Sequence, residues 1–285
     1  MTIDTPESLL HQAKSTAVPM KTWKKTGATW QPCESLPLAD RGFRYGMSVF
    51  ETIAIVQGRP LLLEPHLERL QRAAESCGAG VPPALDGSIG GTTHALNFDF
   101  SQLETGLLRF YLTAGEGGLE APFAGKAYAI FDEAQVGWNL PALRVASSAA
   151  PYLPRPGGWK TGNYWQNLDA LAWARRAGCD EALVFNPAGM LVGATMANVF
   201  LRIDGGWRTP VLETGARDGA VRAWVLGALE ASGEILDAEA LRNCTAAFLT
   251  NSRIGIRPIA ELDGRPLEVA CAEIQRRYFD EIFSC

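Results

Sequence analysis

The chain is poor in lysine. Of its 26 basic residues only six are lysines, and four of those precede residue 26, so beyond that point only Lys126 and Lys160 remain. Histidine is scarcer still, with His11, His66 and His94 at no metal-ligand spacing, which argues against a zinc site. Six cysteines (Cys33, Cys77, Cys179, Cys244, Cys271, Cys285) are scattered without a C-x-x-C pair. In a chain of 285 residues that spread reads as reduced thiols in a cytoplasmic protein, not a disulfide framework. No apolar run approaches the roughly eighteen residues needed to cross a bilayer. The start, MTIDTPESLLHQAK, lacks a basic segment followed by an apolar one, so no secretory signal is evident. A net charge of −5 argues against a general nucleic-acid binder, but leaves room for one positive pocket.

What is present is a folded α+β chain, 47% hydrophobic and long enough for two domains. Residues 1–20 read as an extension. SVFETIAIVQGRPLLL (48–63) alternates and then turns at Gln57-Gly58-Arg59-Pro60, a hairpin pattern. Leu63, Leu67, Leu70 and Ala74 follow at helical spacing, with Gly78 as a stop. LLRFYLTAGEGG and KAYAIFDEA are further strands, completing a smaller α+β domain over 21–140. The Pro-rich stretch 141–158 is expected to connect it to a larger, β-rich domain over 159–285. That second part should hold a helix after Asn163 with Leu168, Leu171 and Ala172 on one face. Consecutive strands from Asp180 to Pro210 follow, then helices at 219–232, 237–241 and 267–283 around a strand at 245–250.

Lys160 lies in GGWKTGNYWQN, between two tryptophans and four residues before Tyr164. Shielding from water would lower its pKa and make the amine a nucleophile. A surface lysine lying over a tryptophan is the alternative that this stretch alone allows.

DRGFRYGMSVFETI (40–53), EPHLERL (64–70), KTGNY (160–164), DEALVF (180–185), MANVF (196–200), GAVR (219–222) and LTNSRIGIRPI (249–259) occur in this order. From Asp40 to Pro266 the chain resembles the class IV aminotransferases, the pyridoxal 5'-phosphate enzymes of fold type IV. That family includes branched-chain and D-amino acid aminotransferases and aminodeoxychorismate lyases. The resemblance implies that Lys160 forms the Schiff base with the cofactor and moves the substrate's α-proton. It implies that Arg69 binds the phosphate, for which a guanidinium fork is well shaped. Ala220 and Val221 would offer the phosphate backbone N–H groups at a helix N-terminus, Ser252 a hydroxyl, and Tyr164 a hydrogen bond to the cofactor's phenolic oxygen. Relatives carry a glutamate at the pyridine nitrogen, five residues before the asparagine of N-[VL]-F. Here that position is Gly193, with Thr195 or a water as the neighbouring hydrogen-bonding groups. Losing a charged hydrogen bond there would cost roughly 1.5–3 kcal/mol of electron withdrawal.

Three readings follow from the resemblance. The first is an aminotransferase acting on a small amino acid, with Gly193 weakening it. The second is a 4-amino-4-deoxychorismate lyase releasing pyruvate, and the third a pyridoxal-phosphate-binding protein with little turnover. Phe43 stands where D-amino acid relatives carry a carboxylate-binding tyrosine. Arg44, Arg109, Arg253 and Arg257 are candidates for a substrate carboxylate. The resemblance also implies a cytoplasmic homodimer, with the cofactor in the cleft between two domains.

Overall fold

The computed structural model describes residues 20–77, 97–137 and 140–283. Apart from Met20 the expected N-terminal extension lies outside these residues, as does Gly78. The first sheet is antiparallel. It is built from β1 (Lys21–Thr26), β2 (Thr29–Pro32), β3 (Ser48–Val56), β4 (Arg59–Pro60), β5 (Gly106–Thr113) and β6 (Lys126–Glu133), in the order β2-β1-β6-β5-β3-β4. The short helix α1 (Arg41–Tyr45) precedes β3, and α2 (Leu63–Ser76) follows β4. The hairpin turns at Gln57 and Gly58, where φ of +48° and +78° gives the positive pair that a two-residue turn demands.

β3 is buried on both faces, and its alternation decides what goes where. Val49, Ile53 and Ile55 pack with Leu63, Leu70, Ala73 and Ala74 of α2 in one core. Glu51 belongs to that same odd-numbered set, an acid among apolar neighbours. Phe50 and Thr52 point the other way, and across from them on β5 stand Tyr111 and Arg109. The hydrophobic period thus sends a charge under the helix and an aromatic row onto the opposite face.

The second sheet is mixed. Its strands are β7 (Leu143–Ser147), β8 (Glu181–Phe185), β9 (Leu191–Ala194), β10 (Asn198–Ile203), β11 (Gly206–Pro210), β12 (Ser232–Glu234), β13 (Ala246–Asn251), β14 (Gly255–Leu262) and β15 (Arg265–Pro266). Helices α4 (Ala220–Leu229) and α6 (Ala272–Tyr278) cover one face through Phe200, Val221, Val225, Phe248, Ile274 and Tyr278. Helix α5 (Ala238–Asn243) contributes Leu241 to the other face, against Val199, Leu201 and Leu249. Helix α3 (Trp165–Arg176) packs on β8.

Several sequence expectations shift. Within 141–158, Leu143–Ser147 is strand β7, paired in parallel with β14 and β8. The helix expected to run to 232 ends at Leu229, where Glu230 takes φ +51°, and Ser232–Glu234 joins the sheet beside β11. The last helix begins only at Ala272 and widens into a π turn over Phe279–Phe283. On α3 the buried face is Asn167, Leu171 and Ala174, while Leu168 is 48% exposed. A polar residue displaces the leucine because Asn167 Nδ2 donates to the carbonyl of Thr195.

Candidate active site

Lys160 reaches its place by strand pairing. β4 covers only the C-terminal end of the β3 edge, at Ile55 and Val56. At the other end the Phe50 N–H donates to the Lys160 carbonyl at 2.9 Å, and the Gly162 N–H donates to the Ser48 carbonyl at 3.0 Å. Thr161 faces Val49 in an antiparallel bridge. The lysine is therefore clamped to the first sheet although it leads into the second. Its Nζ lies 3.4 Å from Thr52 Oγ1 and 5.2 Å from the centre of the Phe50 ring. Burial pulls its pKa down to about 8; Tyr164 and Glu51 oppose this, and the charges of Arg217 and Arg69 add to it.

The amine opens into a cavity of about 380 Å³ between the sheets, lined by Phe50, Thr52, Tyr111, Val192, Gly193 and the first turn of α4 among others. Arg69, Arg109, Arg155, Arg217, Arg222 and Arg253 join Lys160 in the lining, and among the described residues no aspartate or glutamate does. An acidic chain thus builds a cavity whose ionisable walls are cationic.

Behind one wall the charges are matched. Glu51 accepts from Arg69 Nε at 2.6 Å and from Arg69 Nη2, and from His66 Nδ1 at 2.8 Å. Arg69 Nη1 donates to the Asp218 carbonyl. Burial alone would raise the Glu51 pKa, but the charge and hydrogen bonds of Arg69, helped by His66, hold it well below the usual carboxylate range. Burial holds His66 below its ordinary value, hence neutral. An ionised Glu51 can only accept, so the His66 proton sits on Nδ1 and its Nε2 accepts from Ser252 Oγ, 3.0 Å away. The Ser252 proton is therefore directed at His66. The free hydroxyl in this region is that of Thr250, fully buried and lining the cavity.

Two buried side-chain atoms lack a hydrogen-bond partner among the described residues, Thr250 Oγ1 and Arg222 Nε, and both belong to cavity-lining residues. The N-terminus of α4 faces the same space: its N-cap Gly219 makes no side-chain cap, and Ala220 and Val221 line the cavity. A Cβ on Gly219 would fall 2.1 Å from Asn198 Oδ1, so a larger residue would have to displace the Asn198 side chain from the Arg217 carbonyl.

Tyr164 stands edge-on to Phe50, with ring centres 5.4 Å apart, and its hydroxyl accepts from Arg217 Nη1 at 3.3 Å. Burial pushes its pKa up, but Arg217 and Lys160 outweigh this and leave it below the ordinary value. Gly193 lies in β9 opposite Val184 with φ +154°. A Cβ there would be strained by that φ and would sit 3.0 Å from the Ala197 carbonyl oxygen. Thr195 commits its hydroxyl proton to Glu181. Of the candidate arginines, Arg109 and Arg253 line the cavity. Arg109 is paired with Asp132. Arg257 donates instead to the Pro141 carbonyl at 2.7 Å, and Arg44 packs on Tyr45.

All seven residues expected from the motifs thus line one cavity. Sequence reasoning gave no role to Glu51, His66 or Arg217. Glu51 was detectable as an acid in the apolar run SVFETIAIV, followed on the next helix by His66 and Arg69 at a three-residue spacing. Arg217 carried no such signal.

The amino-transferase class IV family model matches residues 48–262. The chain belongs to that family. Among its class IV relatives, the Pseudomonas aeruginosa branched-chain-amino-acid aminotransferase is 27% identical over 83% of this chain and 84% of its own length. The Bacillus subtilis aminodeoxychorismate lyase is 26% identical over 85% and 88%. The crystal structure of a branched-chain aminotransferase from Thermoproteus uzoniensis superposes with a TM-score of 0.74 at 25% identity, covering 92% of this chain and 98% of that one. This class IV member therefore has the type IV fold and is similar to enzymes with two different named activities.

Proposed function

We propose that this chain is a pyridoxal 5'-phosphate-dependent aminotransferase acting on a small amino acid. The observation that carries the reading is Lys160, a depressed amine at the wall of an acid-free cavity whose far side ends in an uncapped helix N-terminus. The cofactor fits the residues present. Its phosphate suits the N–H groups of Ala220 and Val221, the orphaned Thr250 Oγ1 and Arg222 Nε, and the guanidinium of Arg69. Ser252 supports this end through His66. The aldehyde suits Lys160, and Tyr164 provides a hydroxyl beside it. When bound, the cofactor supplies the sink for the electrons released as the substrate's α-proton departs.

The residues have separate tasks. Lys160 is neutral in a substantial fraction of molecules near pH 8, so it can take up a proton from carbon and return it. Phe50 excludes water from one side of the amine. Arg69 is fixed by Glu51 before any ligand arrives. At Gly193 no carboxylate meets the ring nitrogen, and Val184, Val192 and Ala194 around it are apolar.

The test is spectroscopic. Protein incubated with pyridoxal phosphate should turn yellow and lose the colour on borohydride reduction, and Lys160→Ala should do neither. In protein that has not been reduced, an amino acid should convert the spectrum to that of the pyridoxamine form. The lyase reading is favoured by the Bacillus subtilis relative, and release of pyruvate from aminodeoxychorismate without a keto-acid acceptor would establish it. A protein that binds the cofactor yet answers no amino substrate would support the third reading, which Gly193 favours.

The same proposal includes a two-domain division at about residue 140 and a homodimer in the cytoplasm. Leu36, Leu38, Phe43 and Tyr45 are exposed around α1, and the α1 C-cap, Gly46, packs on Asn163 beside Tyr164. A second copy covering these residues would lie next to the cavity, and light scattering reports its mass. Cys33, Cys77, Cys179, Cys244 and Cys271 are unpaired, which suits a reducing compartment.

A further inference from the structure

Arg217 lies between the turn Leu212–Thr214 and α4, and its backbone is tightly held. Its carbonyl accepts from the Gly219 N–H at 2.9 Å and from Asn198 Nδ2 at 2.7 Å. A Cβ on Gly158 would come within 3.1 Å of the Arg217 Cα, so this arginine is seated directly against the residues that lead into Lys160. Its side chain then enters the cavity, where its partners are few. Nε donates to the Gly158 carbonyl at 3.4 Å and Nη1 to the Tyr164 hydroxyl at 3.3 Å. Both contacts are long.

The contrast with its neighbours is chemical. Arg69 closes on Glu51 and Arg109 on Asp132, whereas among the described residues no carboxylate pairs with Arg217. A guanidinium has five N–H groups; among the described residues Arg217 donates from Nε and Nη1, and it lines the cavity. An enclosed cation in that state favours an anion that brings its own oxygen. Its place narrows the choice. Tyr164 and Arg217 are prominent among the groups whose charges act on the Lys160 amine. In pyridoxal phosphate the ring hydroxyl is on the carbon adjacent to the one bearing the aldehyde, while the phosphate arm is on the other side of it. A ring that offers its aldehyde to Lys160 and its phosphate to α4 therefore carries its hydroxyl beside Lys160, away from the phosphate anchors.

We propose that Arg217 is a further cofactor-binding residue, which with Tyr164 holds the phenolic oxygen of pyridoxal phosphate as an anion. The inference rests on the cofactor reading above. It also gives the site its own electronic character: the protein places a cation at the ring oxygen and no acid at the ring nitrogen. The one bond broken is the ring O–H, whose electron pair stays on the oxygen. The hydroxyl proton is released to solvent, and Tyr164 donates to the same oxygen.

The test is a binding comparison between pyridoxal phosphate and 3-deoxypyridoxal 5'-phosphate, which lacks only the hydroxyl. Affinities come from quenching of tryptophan fluorescence, with melting curves to confirm that each variant is folded. Arg217→Gln is expected to weaken pyridoxal phosphate about tenfold to a hundredfold, the span of a charge-assisted hydrogen bond, and to leave the deoxy analogue within about twofold. Arg217→Lys keeps the charge and should lose less, and it serves if the glutamine variant does not fold. Equal weakening of both ligands would overturn the proposal and make Arg217 a structural residue. Unchanged affinity for both, with weaker binding of the amino substrate, would also overturn it and assign Arg217 to a substrate carboxylate. If the unmodified protein binds neither ligand, the cofactor reading itself fails, a result distinct from either.

Discussion

The cavity has two cationic ends built in different ways. Beneath α2, Arg69 is bound by Glu51, which also takes the His66 proton, and every charge there has its counterpart in the chain. Beside Lys160, Arg217 has a tyrosine hydroxyl and a carbonyl but, among the described residues, no acid. The first end is complete before a ligand arrives, because a buried ion pair with satisfied hydrogen bonds is a stable unit and a broken one is not. The second end is left open, with part of its free energy available only to a bound anion.

The largest expected effect comes from making the first end resemble the second. Glu51→Gln leaves Arg69 and His66 buried without their anion and should cost about 3–5 kcal/mol of stability, measured by urea unfolding. The pH dependence has a definite sign. Glu51 is held below its ordinary pKa, so its contribution is fully present above the unfolded value of a glutamate and is lost as pH falls through the lower folded value. The gap between the two proteins should stay constant from pH 8 to 5 and close only in stronger acid. Arg217→Gln, at the open end, should by contrast leave the unfolding midpoint nearly unchanged while weakening the cofactor. A loss of stability as large as that of Glu51→Gln would break the comparison.

Gly193→Ala tests the acid-free side. Its φ of +154° and the 3.0 Å approach to Ala197 predict a loss of at least about 1 kcal/mol in thermal stability. A neutral result would mean the glycine is not held there by its backbone. The smallest effect concerns Lys160. Its reductive methylation in the cofactor-free protein should rise with pH around a midpoint near 8. Removing the Arg217 cation should move that midpoint upward, because the ammonium form then meets less repulsion, whereas Arg72→Gln, remote from the amine, should not.

Much of the site was legible in the sequence, and the reason is local. The alternation in 48–56, the turn at Gln57-Gly58 and the helical spacing after Leu63 are short-range patterns, and they placed β3 and α2 correctly. The motif residues Lys160, Tyr164 and Arg69 stand in short stretches whose order and spacing are readable, although their partners Phe50, Arg217 and Asp218 are distant in the chain. The less legible features are long-range. β7 looked like a linker because a short strand rich in small residues becomes a strand only when β14 and β8 pair with it. Leu168 was expected inside, but Asn167 takes that place through a carbonyl 28 residues away. Ser252 reads as a phosphate donor until His66, 186 residues earlier, claims its proton.

By itself, the sequence determined the order of the elements, the glycines that their turns and close approaches require, and the presence of one unusual lysine. Only the tertiary structure decided the electrostatics of the cavity. Whether an arginine is neutralised depends on which carboxylate lies within about 4 Å, and strands far apart in the chain set that distance. The pairing of Lys160 with the edge of β3 lowers its pKa, and the packing of Gly158 against Arg217 brings an unmatched cation to Tyr164.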